Sequence, residues 1–235
     1  MKSIAIIPAR GGSKRIPRKN IRDFCGKPII AYSIEAALMS DCFDEVMVST
    51  DNEEIAGIAR KYGAAVPFMR SAEAANDFAT TADVIAEVLR RYERRGRLFD
   101  RFACIYATAP FVSADRLKDA VNLIHEACAV VSVVRYSFPP QRACVIRDGS
   151  LAYLQPQYEQ TRSQDLEPVY HDAGQFYVGK CDVFREYHTL IPPGTKPYIV
   201  PEQEVQDIDT LSDWTIAEMK YMALHNEEKK HVSDV

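Results

Sequence analysis

The stretch Arg10-Gly11-Gly12-Ser13-Lys14-Arg15-Ile16-Pro17-Arg18-Lys19-Asn20 holds the densest chemistry in this chain. Six basic side chains and one acid fall between Arg10 and Asp23, in a protein whose net charge is −4. The aliphatic run Ile4-Ala5-Ile6-Ile7 leads straight into it. That order predicts a buried strand delivering a polyanion-binding loop to the edge of a sheet. Gly11 and Gly12 would let main-chain N–H groups approach phosphate oxygens, and Arg10, Lys14, Arg15, Arg18 and Lys19 would supply charge. The stretch fits neither G-x-x-x-x-G-K-[ST] nor G-x-G-x-x-G. A solvated face or a patch attracting nucleic acid nonspecifically is the competing reading. It is the weaker one, because such runs sit on helices or tails and this one follows a buried-type strand.

Asp207 and Asp209 form the second constellation. On an extended stretch, residues i and i+2 share a face, so both carboxylates can reach one ion. Mg²⁺ takes one or two carboxylates together with phosphate oxygens and water. Taken alone, the pair reads rather as an N-cap acid beside a solvated acid; next to a phosphate loop, the metal reading leads. His171 and Asp172 are adjacent on a strand-like run and so point to opposite faces, which favours polar substrate contacts over a catalytic dyad. No G-x-S-x-G is present. Arg162-Ser163-Gln164-Asp165 suits a polar ligand or an interface equally, and Tyr106 ends a strand, where it serves either core or pocket.

The elements that must position these groups alternate. Strands are expected at Ile4–Ile7, Val46–Thr50, Ala65–Met69, Phe102–Tyr106 and Val130–Val134. Helices are expected after Pro28, from a capping box at Asp51-Asn52-Glu53-Glu54 to Gly63, over Ala82–Arg94, and through Leu117, Val121, Ile124 and Cys128. This alternation predicts a parallel, doubly wound sheet with ligands at the carboxyl ends of strands. The rhythm breaks at Cys144–Leu154, a hairpin with Asp148-Gly149 at its turn. An isolated hairpin is marginal in water, so the inserted arm at about 138–172 must pack on another part of the protein or on a second subunit. Strand character returns at Gly174–Val178. A capping box at Thr210 and Asp213 opens the last helix, which carries Trp214, Ile216, Ala217 and Met222, and Asn226–Val235 reads as a frayed charged tail. One domain over 1–235 is the economical organisation.

Composition excludes several classes. With 47% hydrophobic and 26% charged residues the chain is an ordinary globular protein, and its slight negative charge argues against coating nucleic acid or an anionic membrane. No apolar run approaches the roughly 18 residues of a transmembrane helix. The six cysteines contain no C-x-x-C pair, so buried free thiols, no zinc and a cytoplasmic location are expected.

Three segments together resemble a known family. They are Ile7-Pro8-Ala9-Arg10-Gly11-Gly12-Ser13-Lys14 with Pro17-Arg18-Lys19-Asn20, then Val48-Ser49-Thr50-Asp51, then Asp207-Ile208-Asp209-Thr210. In this order they resemble the acylneuraminate cytidylyltransferases, from Ile4 to Trp214. Tyr106-Ala107-Thr108-Ala109-Pro110-Phe111, Arg162–Pro168 and Tyr170–Tyr177 look most like the pseudaminic acid branch. Members acting on N-acetylneuraminate carry Q-P-T-S-P and R-x-N-G where this chain has Tyr106–Pro110 and His171-Asp172-Ala173-Gly174.

The resemblance implies a three-layer, Rossmann-like α/β fold with a mostly parallel, mixed sheet of the nucleotide-diphospho-sugar transferase type and an inserted β-hairpin dimerisation arm. It implies transfer of CMP from CTP to a nine-carbon 2-keto sugar acid, with Mg²⁺, in a homodimer. By carry-over, Ala9, Arg10, Gly11, Gly12 and Ser13 hold the triphosphate, while Lys19 and Asn20 lie near the reacting phosphate and the cytidine. Arg70, Asp77 and Thr80 belong to the segment contacting the nucleotide, and Tyr106, Arg162, His171, Gln175 and Tyr177 to the sugar site. Asp207 and Asp209 hold the metal, and Arg10, Lys19 and Asp209 carry catalysis. Legionaminic acid, N-acetylneuraminate or an octulosonate remain alternative substrates, and a nucleotide-binding module without catalysis is the alternative of another class.

Overall fold

The first strand, β1 (Ser3–Pro8), alternates Ile4 and Ile6 on one face with Ala5 and Ile7 on the other, all with zero exposure. A strand buried on both faces needs helices on both sides, and the computed structural model, which describes residues 1–233 and the side chains of 1–226, has that arrangement. After two short strands, β2 (Asp23–Phe24) and β3 (Lys27–Pro28), come α1 (Ile29–Met39), β4 (Glu45–Ser49), α2 (Glu53–Lys61) and α3 (Ala72–Ala75). Then follow α4 (Thr81–Glu93), β5 (Arg101–Ile105), α5 (Ala114–Leu123) and β6 (Ala129–Arg135). A self-paired hairpin, β7 (Cys144–Arg147) with β8 (Ser150–Tyr153), precedes β9 (Tyr170–Lys180), α6 (Cys181–Tyr187), β10 (Lys196–Ile199) and α7 (Leu211–Ser233).

The six-stranded sheet has the order β10-β6-β9-β5-β1-β4. Every neighbouring pair is parallel except those of β9, which runs antiparallel between β5 and β6. One face packs on α1, α2 and α5 through Ile34, Ile55 and Leu117, and the other on α4 and α6 through Ile85, Val88 and Phe184. The expected mixed, three-layer sheet is therefore the observed one.

A third cluster fixes the ends of the site. Ile16 from the cation loop, Phe24, Ile29, Tyr32, Ile208 and Trp214 are buried together. Phe24 meets both Tyr32 and Trp214 edge-on at 5.6 Å. The α7 capping box is present as expected: the Thr210 N–H and hydroxyl donate to Asp213 at 2.7 and 2.9 Å, and the Asp213 N–H donates back. Trp214 and Ala217 face the cluster, whereas Ile216 and Met222 are exposed. The frayed tail expected from Asn226 is instead the last part of α7 as far as Ser233, and the two residues after it lie outside the described ones.

Several expectations are corrected. Ala65–Met69 is not a strand: it makes one bridge, Met47 to Ala65, along the free edge of β4, and Pro67 has no N–H to continue the ladder. The cap of α2 is Asn52, whose side chain accepts from the Glu54 and Ile55 amides at 2.9 and 3.1 Å, while Asp51 is used elsewhere. Cys128 lies beyond α5, which ends at Leu123 and tightens into a 3₁₀ turn. Val205–Asp209 pairs with no strand.

The arm is shorter than expected, because Tyr170–Asp172 already pair with Val133–Arg135 as part of β9. Its hairpin turns at Asp148 (φ 50°) and Gly149 (φ 76°), the two left-handed residues a type I′ turn requires. Ile146 and Leu151 are exposed on that arm.

Truncation of the large aromatic in the third cluster tests its weight. Trp214→Ala is expected to lower unfolding free energy by about 3–5 kcal/mol, read from urea denaturation.

Candidate active site

Two clefts open at the carboxyl end of β1 and β5 and share one wall, the Tyr106 side chain. The first, about 470 Å³, is lined by Arg10, Ser13, Lys14, Arg15, Lys19, Asn20, Arg70, Asp77 and Thr80 among others. The second, about 480 Å³, is lined by His171, Tyr177 and Asp207 and by Arg135, Asp172 and Lys220.

Each cation from Arg10 to Lys19 is engaged by an acid. Asp77 accepts from Arg10 at 2.8 Å and from Lys14 at 2.6 Å. Asp209 lies 2.7 Å from Arg15 and 3.6 Å from Lys19, whose Nζ also donates to the Ile208 carbonyl at 2.6 Å. Arg18 is paired with Glu54. Asn20 donates to the Arg10 carbonyl at 2.9 Å and so braces the loop from within. The Gly11 amide is already held by Asp51 at 2.8 Å. A Cβ on Gly11 would sit 2.9 Å from the Asn52 Cβ, so glycine is required there for close packing, whereas Gly12 faces open space. Ala9 is fully buried behind the loop, its N–H on the Ser49 carbonyl at 2.9 Å.

Arg70 is nearly buried, with Nε on the Ser49 hydroxyl at 3.0 Å and a second nitrogen on the Ser49 carbonyl. Burial lowers its tendency to hold charge, countered by Asp51 and Glu87. Thr80 caps α4 through a reciprocal box with Asp83, which places the cleft wall at a helix start. Hydrogen bonds from Lys14 and then Arg10 hold the Asp77 carboxyl below the usual carboxylate range. Its ion pairs therefore persist as pH falls through that range and break only below it.

The shared wall is fixed by its own bonds. The Tyr106 hydroxyl lies 3.3 Å from the Thr81 hydroxyl, its carbonyl accepts from Ser33 at 2.7 Å, and its ring meets Tyr177 edge-on at 5.7 Å. Burial raises both tyrosines above the ordinary phenol, Tyr177 further through Tyr106 and Asp172, which accepts the Tyr177 hydroxyl. Both stay neutral hydrogen-bonding groups at physiological pH.

Two expected sugar-site residues are not in the second cleft. Gln175 is buried, with Nε2 on the Glu204 carbonyl at 2.5 Å and Oε1 without a partner. The cause is a bulge: the register jumps from Val131–Tyr177 to Val133–Asp172, with Gly174 at φ 64° and Ser132 filling the gap by bonding Phe176. Arg162 is exposed on the arm, paired with Asp165 at 2.7 Å, and lines neither cleft. Asp207 and Asp209 are also divided, Asp207 lining the second cleft while Asp209 turns to Arg15 and Lys19.

Sequence reasoning passed over Arg135 and Lys220. Arg135 ends β6 at a carboxyl strand end, a signal that could have found it. Lys220 had none, being one lysine of a polar helix; its Nζ donates to the Val205 carbonyl at 2.7 Å.

A sheet of this kind with a cation loop after its first strand is suited to holding a nucleotide at the carboxyl ends of its strands. Comparison with known proteins gives the family: the cytidylyltransferase signature matches residues 4–186, and the chain belongs to that family. It is 40% identical over 228 residues to a pseudaminic acid cytidylyltransferase of Campylobacter jejuni, covering 96% of this chain and 98% of that one. It is 36% identical to a CMP-N,N'-diacetyllegionaminic acid synthase of Legionella pneumophila, covering 97% and 99%. A solved CMP:2-keto-3-deoxy-manno-octonic acid synthetase shares the fold, with TM-score 0.69 at 18% identity over 96% of this chain and 100% of that one.

A phosphate held by Arg10 and Lys14 would have to displace Asp77 from the same two cations. Asp77→Asn is expected to tighten pyrophosphate binding by up to about fivefold, the scale of an exposed ion pair, read by calorimetry. Weaker binding in the variant would instead make Asp77 a ligand contact.

Proposed function

We propose that the protein transfers CMP from CTP to the anomeric hydroxyl of pseudaminic acid, a nine-carbon 2-keto sugar acid, and releases pyrophosphate. The observation that carries this reading is the pair of clefts meeting at Tyr106, one lined by the loop cations and the other by mixed polar groups. The 40% identity to a protein of that name over almost the whole chain supports the choice of sugar.

In this reading Arg10, Ser13, Lys14 and Arg15 receive the β- and γ-phosphates, and Arg70 and the Asp77–Thr80 segment border the nucleoside. Lys19, less exposed than Arg10, Lys14, Arg15 and Arg18, lies 3.6 Å from Asp209 and stabilises charge at the α-phosphate. The sugar hydroxyl attacks the α-phosphorus across the shared wall, the bond to the bridging oxygen breaks, and negative charge leaves toward Arg10, Lys14 and Arg15. No covalent enzyme intermediate is needed; positioning and preorganised charge do the work. His171, Tyr106 and Tyr177 offer polar contacts to the sugar, and Arg135 and Lys220 are the cations suited to its carboxylate.

Asp207 and Asp209 suit Mg²⁺ by donor chemistry, since both are hard oxygen ligands, Asp207 lining the second cleft and Asp209 paired with Arg15 and Lys19 of the first. Bound there, the ion would offset charge on phosphate oxygens. The exposed Phe138, Ile146 and Leu151 of the arm support a homodimer in which the arm, and Arg162 with it, reaches a second copy. Six free cysteines fit a cytoplasmic setting, and the product would serve surface glycan or flagellin glycosylation.

Pyrophosphate release from CTP with a panel of sugar acids tests this. Pseudaminic acid is expected to give the highest kcat/KM, with Lys19→Ala and Asp209→Ala each lowering turnover roughly 10²-fold. A preference for legionaminic acid or N-acetylneuraminate would overturn the sugar assignment. CTP binding without release from any acid would make the chain a non-catalytic module.

A further inference from the structure

Phe78 is 92% exposed, the most exposed large apolar side chain among the described residues. It is not part of the arm. It sits between Asp77 and Ala79, both of which line the first cleft, while Phe78 itself does not. An aromatic ring left in water beside a ligand cleft is stabilised by any flat apolar surface it can cover.

The segment that carries Phe78 is fixed to α4 at both ends. Ser71, the cap of α3, donates from its N–H and hydroxyl to Glu87 at 3.0 and 3.1 Å, and Thr80 closes its reciprocal box with Asp83. Between them the turn 76–79 is shaped from within. The Asn76 side chain accepts the Phe78 and Ala79 amides at 2.8 and 2.9 Å and donates to the Glu73 carbonyl at 2.6 Å. Among the described residues, the only hydrogen bonds or ion pairs from this turn to chain outside 71–83 are those of Asp77 with Arg10 and Lys14. A triphosphate seated on those two cations would displace the Asp77 carboxylate and, being negative, repel it. The turn would then lose its tether while its ends stay fixed, so nucleotide loading and release of the Phe78 turn become one event.

We propose that the turn 76–79 is a strap that closes on the bound nucleotide, with the Phe78 ring stacking on the face of the cytosine. This rests on the reading of CTP as the substrate. Aromatic side chains stack on any base, so Phe78 supplies affinity, and the choice of cytosine stays with the polar groups of the cleft. Closure takes the ring out of water, which offsets the exposed ion pairs that Asp77 gives up.

Calorimetric titration of the full chain with CTP and with inorganic tripolyphosphate, which has no base, tests the strap. Phe78→Ala is expected to weaken CTP binding about tenfold, equivalent to about 1.4 kcal/mol, and to leave tripolyphosphate binding unchanged. Phe78→Trp is expected to keep CTP affinity, with its added fluorescence quenched by CTP and not by tripolyphosphate. CTP binding unchanged in Phe78→Ala, or CTP and tripolyphosphate weakened alike, would overturn the strap and leave the nucleotide reading standing. A smaller oligomer for Phe78→Ala in size-exclusion chromatography would also overturn it, by assigning the ring to a contact between copies. Wild-type protein that binds tripolyphosphate but not CTP would overturn the nucleotide reading itself, and the strap with it.

Discussion

The packing of Ile16 and Ile208 into one apolar cluster with Phe24 and Trp214 is the contact on which the active site depends. The cation loop and the Asp207–Asp209 stretch lie 194 residues apart where Arg15 meets Asp209. Exposed ion pairs contribute little by themselves and are screened by salt. Burial of Ile16 and Ile208 is worth several times as much, so the hydrophobic contact sets the geometry and the charges follow. The capping box of Thr210 and Asp213 then starts α7 directly after Asp209, which orients the acid toward the loop.

Around that anchor the site is divided by a tyrosine. Tyr106 leaves β5 at its carboxyl end and is held by Ser33, Thr81 and the ring of Tyr177, so the two clefts keep a common, rigid boundary. The loop cations are neutralised by Asp77, Asp209 and Glu54, which lets a dense positive loop fold without self-repulsion. In the proposed reaction a triphosphate would exchange one set of anionic partners for another. Charge recruitment and charge storage use the same side chains.

Much of this was legible in the residues. The aliphatic run before Arg10, the Asp148-Gly149 turn and the Thr210/Asp213 box each obey a local rule, and each appears as the rule requires. What escaped depended on contacts distant in sequence. Gln175 would share a face with Tyr177 on a regular strand, but the bulge opposite Ser132 turns it inward. The seven residues of α6 and the four of β10, interrupted by Pro197, are too short for periodicity to register. Lys220 enters the second cleft only because Trp214 fixes the rotation of α7. Ala65–Met69 had strand composition but lay at an edge where Pro67 ended the pairing.

The central claim is that a sugar hydroxyl in one cleft attacks the α-phosphorus of CTP in the other. Its most direct measurement uses pseudaminic acid labelled with ¹⁸O at the anomeric hydroxyl, with the product analysed by ³¹P NMR and mass spectrometry. The account predicts that the label is retained in the bridge between sugar and CMP, with unlabelled pyrophosphate released in equal amount. Label in pyrophosphate, or a CMP-sugar whose bridging oxygen is unlabelled, would contradict it.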